Sequence, residues 1–185
     1  MRLVVVSDSH GDRDILVQLV AHYKDEVVTF LHCGDSELTT TDSLFQQMTV
    51  VQGNMDFNGH FPEQVVVPVG AQKAFLTHGH LYGVNFDLTR LMLAAQAEAR
   101  NWLFTDITHQ LACEMHQGLL VLNPGSISQP RGQFQPLGGT YAVVDITATD
   151  YQSNIMTAIL KKYHNSNLNL KELKVKDYPK FRRCG

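Results

Sequence analysis

Apolar positions along the chain form short continuous runs that alternate with stretches of helical spacing. Residues 3–6 are an uninterrupted aliphatic run, which predicts a buried strand that ends at Ser7. Ile15, Leu16, Leu19 and Val20 then recur at helical spacing, with Asp12 or Asp14 placed near the helix N-terminus. Further strands are predicted over residues 27–31, 49–51, 65–69, 74–76, 103–105, 119–122, 141–146 and 155–160, and a second helix over residues 86–100. This alternation favours an α/β fold.

Length and charge divide the chain into a body and a tail. The 185 residues are 44% hydrophobic, which suits one compact domain, predicted over residues 1–160. Residues 161–185 form a basic C-terminal tail with eight Lys or Arg against two acidic residues, whereas the preceding 160 residues carry seven basic and sixteen acidic residues. The acidic body is compatible with cation binding and argues against a nucleic-acid-binding face. A solvated or docked tail is favoured over a tail that binds nucleic acid. The sequence does not decide whether the protein forms an oligomer.

Cysteine usage and hydropathy bear on the compartment. Cys33, Cys113 and Cys184 are odd in number and widely spaced, so they predict no disulfide framework and favour a reducing compartment. The apolar run near Met1 is too short for a signal peptide, and no segment approaches a membrane span. We therefore expect a cytoplasmic protein without membrane contact.

Polar side chains able to bind metal follow the predicted strands at the points where the strands end. They are Asp8 and His10, Asp35, Asn54, His78 and His80, and His109. In sheets of this class, sites form beyond the carboxyl ends of the strands, so these residues are expected to lie close together. Carboxylate, amide and imidazole donors suit Mn²⁺, Fe²⁺ or Zn²⁺ and show no thiolate preference.

Each of these short motifs also has an ordinary structural reading. Gly34-Asp35 and Gly53-Asn54 have the composition of turns, and histidines near strand ends often serve only as hydrogen-bonding groups. Five coincident cases, all at strand ends, favour a metal site over five separate accidents.

Five motifs carry a resemblance to a known family. They are Asp8-x-His10, Gly34-Asp35, Gly53-Asn54-x-Asp56, His78-Gly79-His80 and Asn123-Pro124-Gly125-Ser126. Over residues 1 to about 147 the chain resembles the calcineurin-like metallophosphoesterases, in particular their small bacterial phosphodiesterase branch, to which the retromer metallophosphoesterase-like subunit is related. The resemblance implies a four-layer α-β-β-α sandwich with the site at the strand ends.

The resemblance also implies roles for individual residues. It implies two divalent metal ions, with Mn²⁺ favoured and Fe, Zn, Ni or Mg as other candidates. The implied metal ligands are Asp8, His10 and His109 for the first ion, Asp35 as the bridge, and Asn54 and His78 for the second ion. The candidate catalytic residues are Asp35, Asn54, His80 and Arg131. Asn54 would also touch a phosphate oxygen, and Arg131 would either bind the phosphate or pack a loop.

The chain departs from the family pattern at one ligand. The pattern Gly-His-x-His is replaced by Asp106-Ile107-Thr108-His109, so one expected histidine is Ile107, which cannot bind a metal ion. By the family pattern the lost nitrogen belongs to the second ion, which predicts a weakened or empty second site unless Asp106 compensates. At the position after Asn54, where some branches place a histidine acid, this chain has Met55.

The function expected from the resemblance is hydrolysis of a small phosphate ester, with phosphodiesters favoured, by attack of a metal-activated hydroxide. The alternative is a metal-poor, catalytically weak or silent member that acts as a binding or scaffold protein. Ile107 and Asp106 favour the alternative, and the six retained ligands favour the enzyme.

Overall fold

The computed structural model describes residues 1–26, 28–57, 60–84, 86–98, 101–106, 108–147, 155–162 and 173–174. Two β-sheets form its centre. The first sheet contains β1 (Arg2–Val6), β2 (Val28–His32), β3 (Met48–Val50), β9 (Thr140–Thr147), β10 (Ile155–Lys162) and β11 (Leu173–Lys174). The second contains β4 (Gln64–Val69), β5 (Gln72–Thr77), β6 (Trp102–Phe104), β7 (Ala112–His116) and β8 (Leu119–Asn123). The helices are α1 (Arg13–His22) and α2 (Thr89–Glu98), with short 3₁₀ helices at Ser43–Gln46, His80–Tyr82 and Gly132–Leu137.

Each sheet is mixed and contains three neighbouring parallel strands. The first sheet has the order β11-β10-β9-β1-β2-β3, in which β1, β2 and β3 are parallel. The second has the order β4-β5-β6-β8-β7, in which β5, β6 and β8 are parallel. The carboxyl ends of the parallel strands therefore meet at one edge of each sheet.

Alternation along the strands produces four layers. Leu3 and Val5 pack between the two sheets, together with Leu76 from β5. Val4 and Val6 point the other way and pack on α1. On the far side, α2 packs on the second sheet through Leu91. Since side chains alternate between the faces of a strand, each sheet buries both faces. The α/β class and the α-β-β-α sandwich are confirmed.

Local chemistry explains where the helices begin. Asp12 caps α1, because its carboxylate accepts a hydrogen bond from the Ile15 N–H. Asp14 lies in the first turn of α1, where a negative charge is favourable. The second helix is shorter than predicted: α2 begins at Thr89, whose N–H donates a hydrogen bond to the Asp87 side chain.

Strand β7 was not predicted. Only Cys113 of its five residues is buried, so the strand has no apolar pattern to find. It is fixed instead by pairing with β8 across a turn in which Gln117 and Gly118 both have positive φ.

The predicted tail is described in part. Residues 161–162 belong to β10, and 173–174 form β11, which pairs with Ile159 and Leu160. The other residues of 161–185 lie outside the described residues, and Cys184 is one of them. Within the described part of the chain, neither helix has the length and apolar character that a membrane crossing requires.

Candidate metal centre

The site lies at the carboxyl ends of strands from both sheets. Asp8 and His10 follow β1, and Asp35 follows β2. From the second sheet, His78 follows β5 and His109 follows β6. Because the two sheets face each other, these side chains converge although more than 100 residues separate Asp8 from His109.

The first donor group is Asp8, His10 and His109. One ligand atom from each lies within 4.8 Å of the others. Asp8 Oδ1 lies 3.1 Å from His109 Nε2 and 3.6 Å from His10 Nε2. The two imidazole rings stack with centroids 5.2 Å apart. This is a carboxylate and two nitrogens aimed at one point, which suits a borderline divalent cation.

The second donor group is Asp8, Asp35 and His78, whose ligand atoms also lie within 4.8 Å of one another and which are all buried. His78 Nε2 lies 3.7 Å from Asp8 Oδ1 and 3.6 Å from Asp35 Oδ2. The other oxygen of Asp35 accepts a hydrogen bond from the Met55 N–H at 2.8 Å. Asp8 is thus common to both groups, whereas the resemblance assigns the bridging role to Asp35.

Buried polar atoms at this centre have no hydrogen-bond partner within the described part of the chain. They are both carboxylate oxygens of Asp8 and the Nε2 atoms of His10 and His78. Burying such atoms unpaired costs on the order of 1–3 kcal/mol each, and more for a charged group. Atoms of this kind that face one another are the arrangement that a bound cation would satisfy.

Each imidazole is held through its other ring nitrogen. His109 Nδ1 lies 3.0 Å from the Gln129 carbonyl oxygen, which fixes it as a donor. His10 Nδ1 lies 2.6 Å from Glu37 Oε1, and His78 Nδ1 lies 3.3 Å from His80 Nδ1. In all three cases Nε2 is the atom left to face the acidic residues. Partners of this kind orient metal-binding histidines in proteins.

An open pocket of about 470 Å³ leads to the first donor group. His10 and His109 form its floor, and Asn54, His80 and Arg131 line it with Met55, Glu37 and Gln129. The structure thus brings every sequence-predicted site residue either into a donor group or onto this pocket. Asn54 and Arg131 are exposed there.

A family model, the calcineurin-like phosphoesterase superfamily domain, matches residues 1–149. The chain belongs to this superfamily. The probable metallophosphoesterase YsnB of Bacillus subtilis is 35% identical over 131 residues, which are 71% of this chain and 78% of that protein.

Solved structures place the chain in the same superfamily fold. A predicted phosphoesterase from Streptococcus pneumoniae has a TM-score of 0.80 and 35% identity, covering 94% of this chain and 97% of its own. A Vps29 single mutant from Entamoeba histolytica has a TM-score of 0.70 at 19% identity, covering 94% of this chain and 99% of its own. The second likeness concerns the fold alone.

Left-handed backbone at residues other than glycine concentrates at the candidate metal centre. Among the described residues, six that are not glycine have a positive φ. One lies in the β7–β8 turn, and the other five are Asp8, His10, Asp35, Glu37 and His109. Left-handed backbone at such residues costs on the order of 1–3 kcal/mol each and persists where surrounding structure enforces it.

Two glycines allow the strand ends to approach. A Cβ atom on Gly34 would lie 2.8 Å from Cδ2 of His78, and one on Gly53 would overlap the Asp35 carboxylate. Gly34 also has φ +111°, a conformation that favours glycine. The Gly34-Asp35 and Gly53-Asn54 pairs therefore serve close packing of the site.

Asp56 braces the loops after β2 and β3, a role that the sequence reasoning missed. Its carboxylate accepts hydrogen bonds from the backbone N–H groups of Asp35, Gly53 and Glu37, and from Ser36 Oγ. It is 2% exposed. The only sequence signal was its place in the Gly53-Asn54-x-Asp56 motif.

The Asn-Pro-Gly-Ser segment braces the ends of β1 and β6. Ser126 Oγ and Ser128 Oγ both donate to the Asp8 carbonyl oxygen at 2.8 Å. Asn123 Nδ2 donates to Asp106 Oδ1 at 3.0 Å. Asp106 Oδ1 also accepts from the His109 N–H at 2.8 Å, so Asp106 holds the His109 loop.

Asp106 does not join either donor group, although it is fully buried and its Oδ2 has no partner among the described residues. Ile107, which replaces the expected histidine, lies outside the described residues. The expected compensation by Asp106 stays a prediction.

Charge coupling within the centre is strong. Burial is the largest influence on Asp8 and would raise its pKa, but His109 and His78 hold that pKa below its ordinary value. Asp8 in turn raises the pKa of His109. Burial, reinforced by Asp8, raises the pKa of Asp106 to about 7. Because metal ions bind neutral imidazole, metal binding would counteract the raised pKa of His109.

Proposed function

We propose that this chain is a divalent-metal-dependent phosphoesterase that hydrolyses phosphodiesters. The observation that carries the proposal is the convergence of unpartnered Asp8 oxygens and imidazole Nε2 atoms beneath an open pocket. The donor chemistry fits Mn²⁺, Fe²⁺ or Zn²⁺, since it combines carboxylate with imidazole and contains no thiolate. Divalent ions bound there would supply an activated water nucleophile and neutralise charge on the phosphoryl group.

The protein's own residues would hold and orient the reactants. Asp8, His10 and His109 would bind one ion, and Asp35, His78 and Asn54 would bind the other. Arg131 would orient the phosphate from the pocket wall, where its guanidinium can donate two hydrogen bonds to phosphate oxygens. His80 lines the same pocket and holds His78 through Nδ1. Burial and His78 lower the pKa of His80, which keeps it neutral at neutral pH.

The charge of the pocket favours a diester over a monoester. Arg131 is the only guanidinium or ammonium group among the described residues that line it, and Asp35 and Glu37 contribute carboxylates. A phosphodiester carries one negative charge at neutral pH, whereas a monoester carries nearly two. The open mouth also leaves room for a second ester group.

The leaving group would receive little help from the protein. Met55 lines the pocket after Asn54 and cannot supply a proton. The departing alkoxide would therefore take its proton from solvent, so esters with acidic leaving groups should be hydrolysed fastest.

The test is hydrolysis of bis(p-nitrophenyl) phosphate with Mn²⁺. Asp35→Asn is expected to reduce turnover to the background rate while the folded protein keeps its circular dichroism spectrum. Asp25→Asn is the matched control, because Asp25 is exposed and precedes β2, at the opposite end of that strand. Turnover by Asp35→Asn at the wild-type rate would contradict the proposal.

A second candidate function follows from Ile107. Loss of a ligand histidine favours a metal-poor binding or scaffold protein, and the Vps29 fold likeness is compatible with it. Repairing the motif with Asp106→Gly and Ile107→His distinguishes the two. Activity that exists only in the repaired protein would favour the scaffold function.

A further inference from the structure

Glu37 is a carboxylate at the site that the sequence pattern did not identify. Its Oε1 lies 2.6 Å from His10 Nδ1, a short hydrogen bond to a charged acceptor. The His10 side chain is 9% exposed and that of Glu37 is 35% exposed, so the pair sits where the pocket wall meets the buried donors. The other ring nitrogen of His10 faces Asp8.

The backbone of Glu37 is built like that of the donor residues. Of the five left-handed non-glycine residues at the site, four are the donors Asp8, His10, Asp35 and His109, and the fifth is Glu37. Its N–H donates to Asp56 Oδ1 at 2.7 Å, on the same carboxylate that holds Asp35. The strained conformation is therefore enforced by a buried group and aims the side chain at His10.

We propose that Glu37 is a positioning residue for the first metal ion. Its carboxylate accepts a hydrogen bond from Nδ1–H of His10 and so fixes the tautomer in which the lone pair of Nε2 faces Asp8. This rests on the proposed metal-dependent function. The arrangement is a carboxylate–histidine–metal relay, in which the outer carboxylate orients the imidazole and increases its basicity.

Two other close ion pairs among the described residues differ from this one. Arg2 pairs with Glu26, and Arg13 pairs with Asp42 at 2.7 Å, with both arginine side chains at least 35% exposed. Such exposed pairs contribute little to stability, because solvent screens the charges. The Glu37–His10 pair instead orients His10, whose other ring nitrogen, Nε2, is buried and has no partner among the described residues.

The first test is Mn²⁺ affinity, measured by electron paramagnetic resonance of free Mn²⁺. Glu37→Met removes the acceptor but keeps the side-chain length and the backbone bond to Asp56. It should weaken binding at the first site roughly 10–100-fold. Glu37→Gln keeps a neutral acceptor and should weaken binding less. The control is Glu26→Met, which removes an ion-paired glutamate that precedes β2 and should leave the affinity unchanged. Affinity of Glu37→Met within threefold of wild type would overturn the proposal.

The second test uses the metal-free protein and so does not depend on the proposed function. Nitrogen-15 chemical shifts of His10 should report the Nδ1–H tautomer in the wild type and a mixture with the Nε2–H tautomer in Glu37→Met. An unchanged tautomer in Glu37→Met would overturn the role of Glu37. If the wild type binds no Mn²⁺ but Glu37→Met still loses the Nδ1–H tautomer preference of His10, the proposed function is overturned and the positioning role of Glu37 is kept.

Discussion

The two donor groups share Asp8 but differ in how completely the chain builds them. In the first group, His109 and His10 are each fixed by an oxygen acceptor, the Gln129 carbonyl and the Glu37 carboxylate. In the second group, the only histidine is His78, whose Nδ1 contacts another imidazole at a longer 3.3 Å. One site thus has a firmly oriented set of imidazole ligands, and the other has a single, more weakly oriented imidazole.

This difference predicts unequal sites within one centre. The second group needs Asn54, an exposed residue, and the family pattern expects one more histidine where this chain has Ile107. We therefore expect one ion to bind tightly and the other to bind weakly.

The largest effect is expected from removing the histidine of each group in turn. His109→Ala should reduce the affinity for the tighter ion by at least ~100-fold, because it removes a direct ligand. Losing only an outer partner of a ligand costs about 10–100-fold in affinity. His78→Ala should leave the tighter ion unchanged and abolish the weaker one. Isothermal titration calorimetry with Mn²⁺ measures both. Equal losses from the two variants would show that the sites are not separate.

A histidine outside both groups provides a control on acid effects. His32 is fully buried, its Nδ1 accepts from the Gly34 N–H at 3.2 Å, and burial lowers its pKa from 6.5 to about 4. The unfolded chain therefore binds more protons between these values, and stability falls as pH falls through that window. At pH 5 the expected loss from His32 is about 2 kcal/mol of unfolding free energy relative to pH 7.5.

The measurement is urea denaturation of the metal-free protein at both pH values. His32→Asn keeps an acceptor for Gly34 and should show a smaller loss between pH 7.5 and pH 5 than the wild type. An identical loss in both proteins would contradict the assignment of this acid sensitivity to His32.

A smaller effect is expected from repairing the second group. Asp106→Gly with Ile107→His restores the family pattern and should tighten binding of the weaker ion by about 10-fold or more. Asp106→Gly alone serves as the control, since it removes the carboxylate that holds the His109 N–H without adding a ligand. Tightening by Asp106→Gly alone would show that Asp106 opposes the second ion.

The sequence predicted the parts of this molecule that are encoded locally. An apolar run followed by a polar residue is enough to locate Asp8 and His78 at strand ends, and parallel strands bring such ends together. Alternation within β1 likewise implies two buried faces. These features need no knowledge of distant residues.

Features that depend on contacts between distant segments were not predicted. Glu37 and Asp56 act through hydrogen bonds to loops that the fold brings near them. Nothing in the immediate neighbours of Glu37 distinguishes it from a surface acid, and Asp56 was marked only by its place in the Gly53-Asn54-x-Asp56 motif. Strand β7 exists because β8 pairs with it, although its own residues are mostly exposed. The left-handed backbone at His109 is likewise invisible in the sequence.

The most direct test of metal binding at Asp8 is anomalous diffraction at the manganese edge from crystals grown with Mn²⁺. The account predicts a strong peak about 2 Å from Asp8, His10 and His109, with a weaker peak between Asp8, Asp35 and His78. No anomalous peak within reach of Asp8, at Mn²⁺ concentrations that saturate hydrolysis, would contradict it.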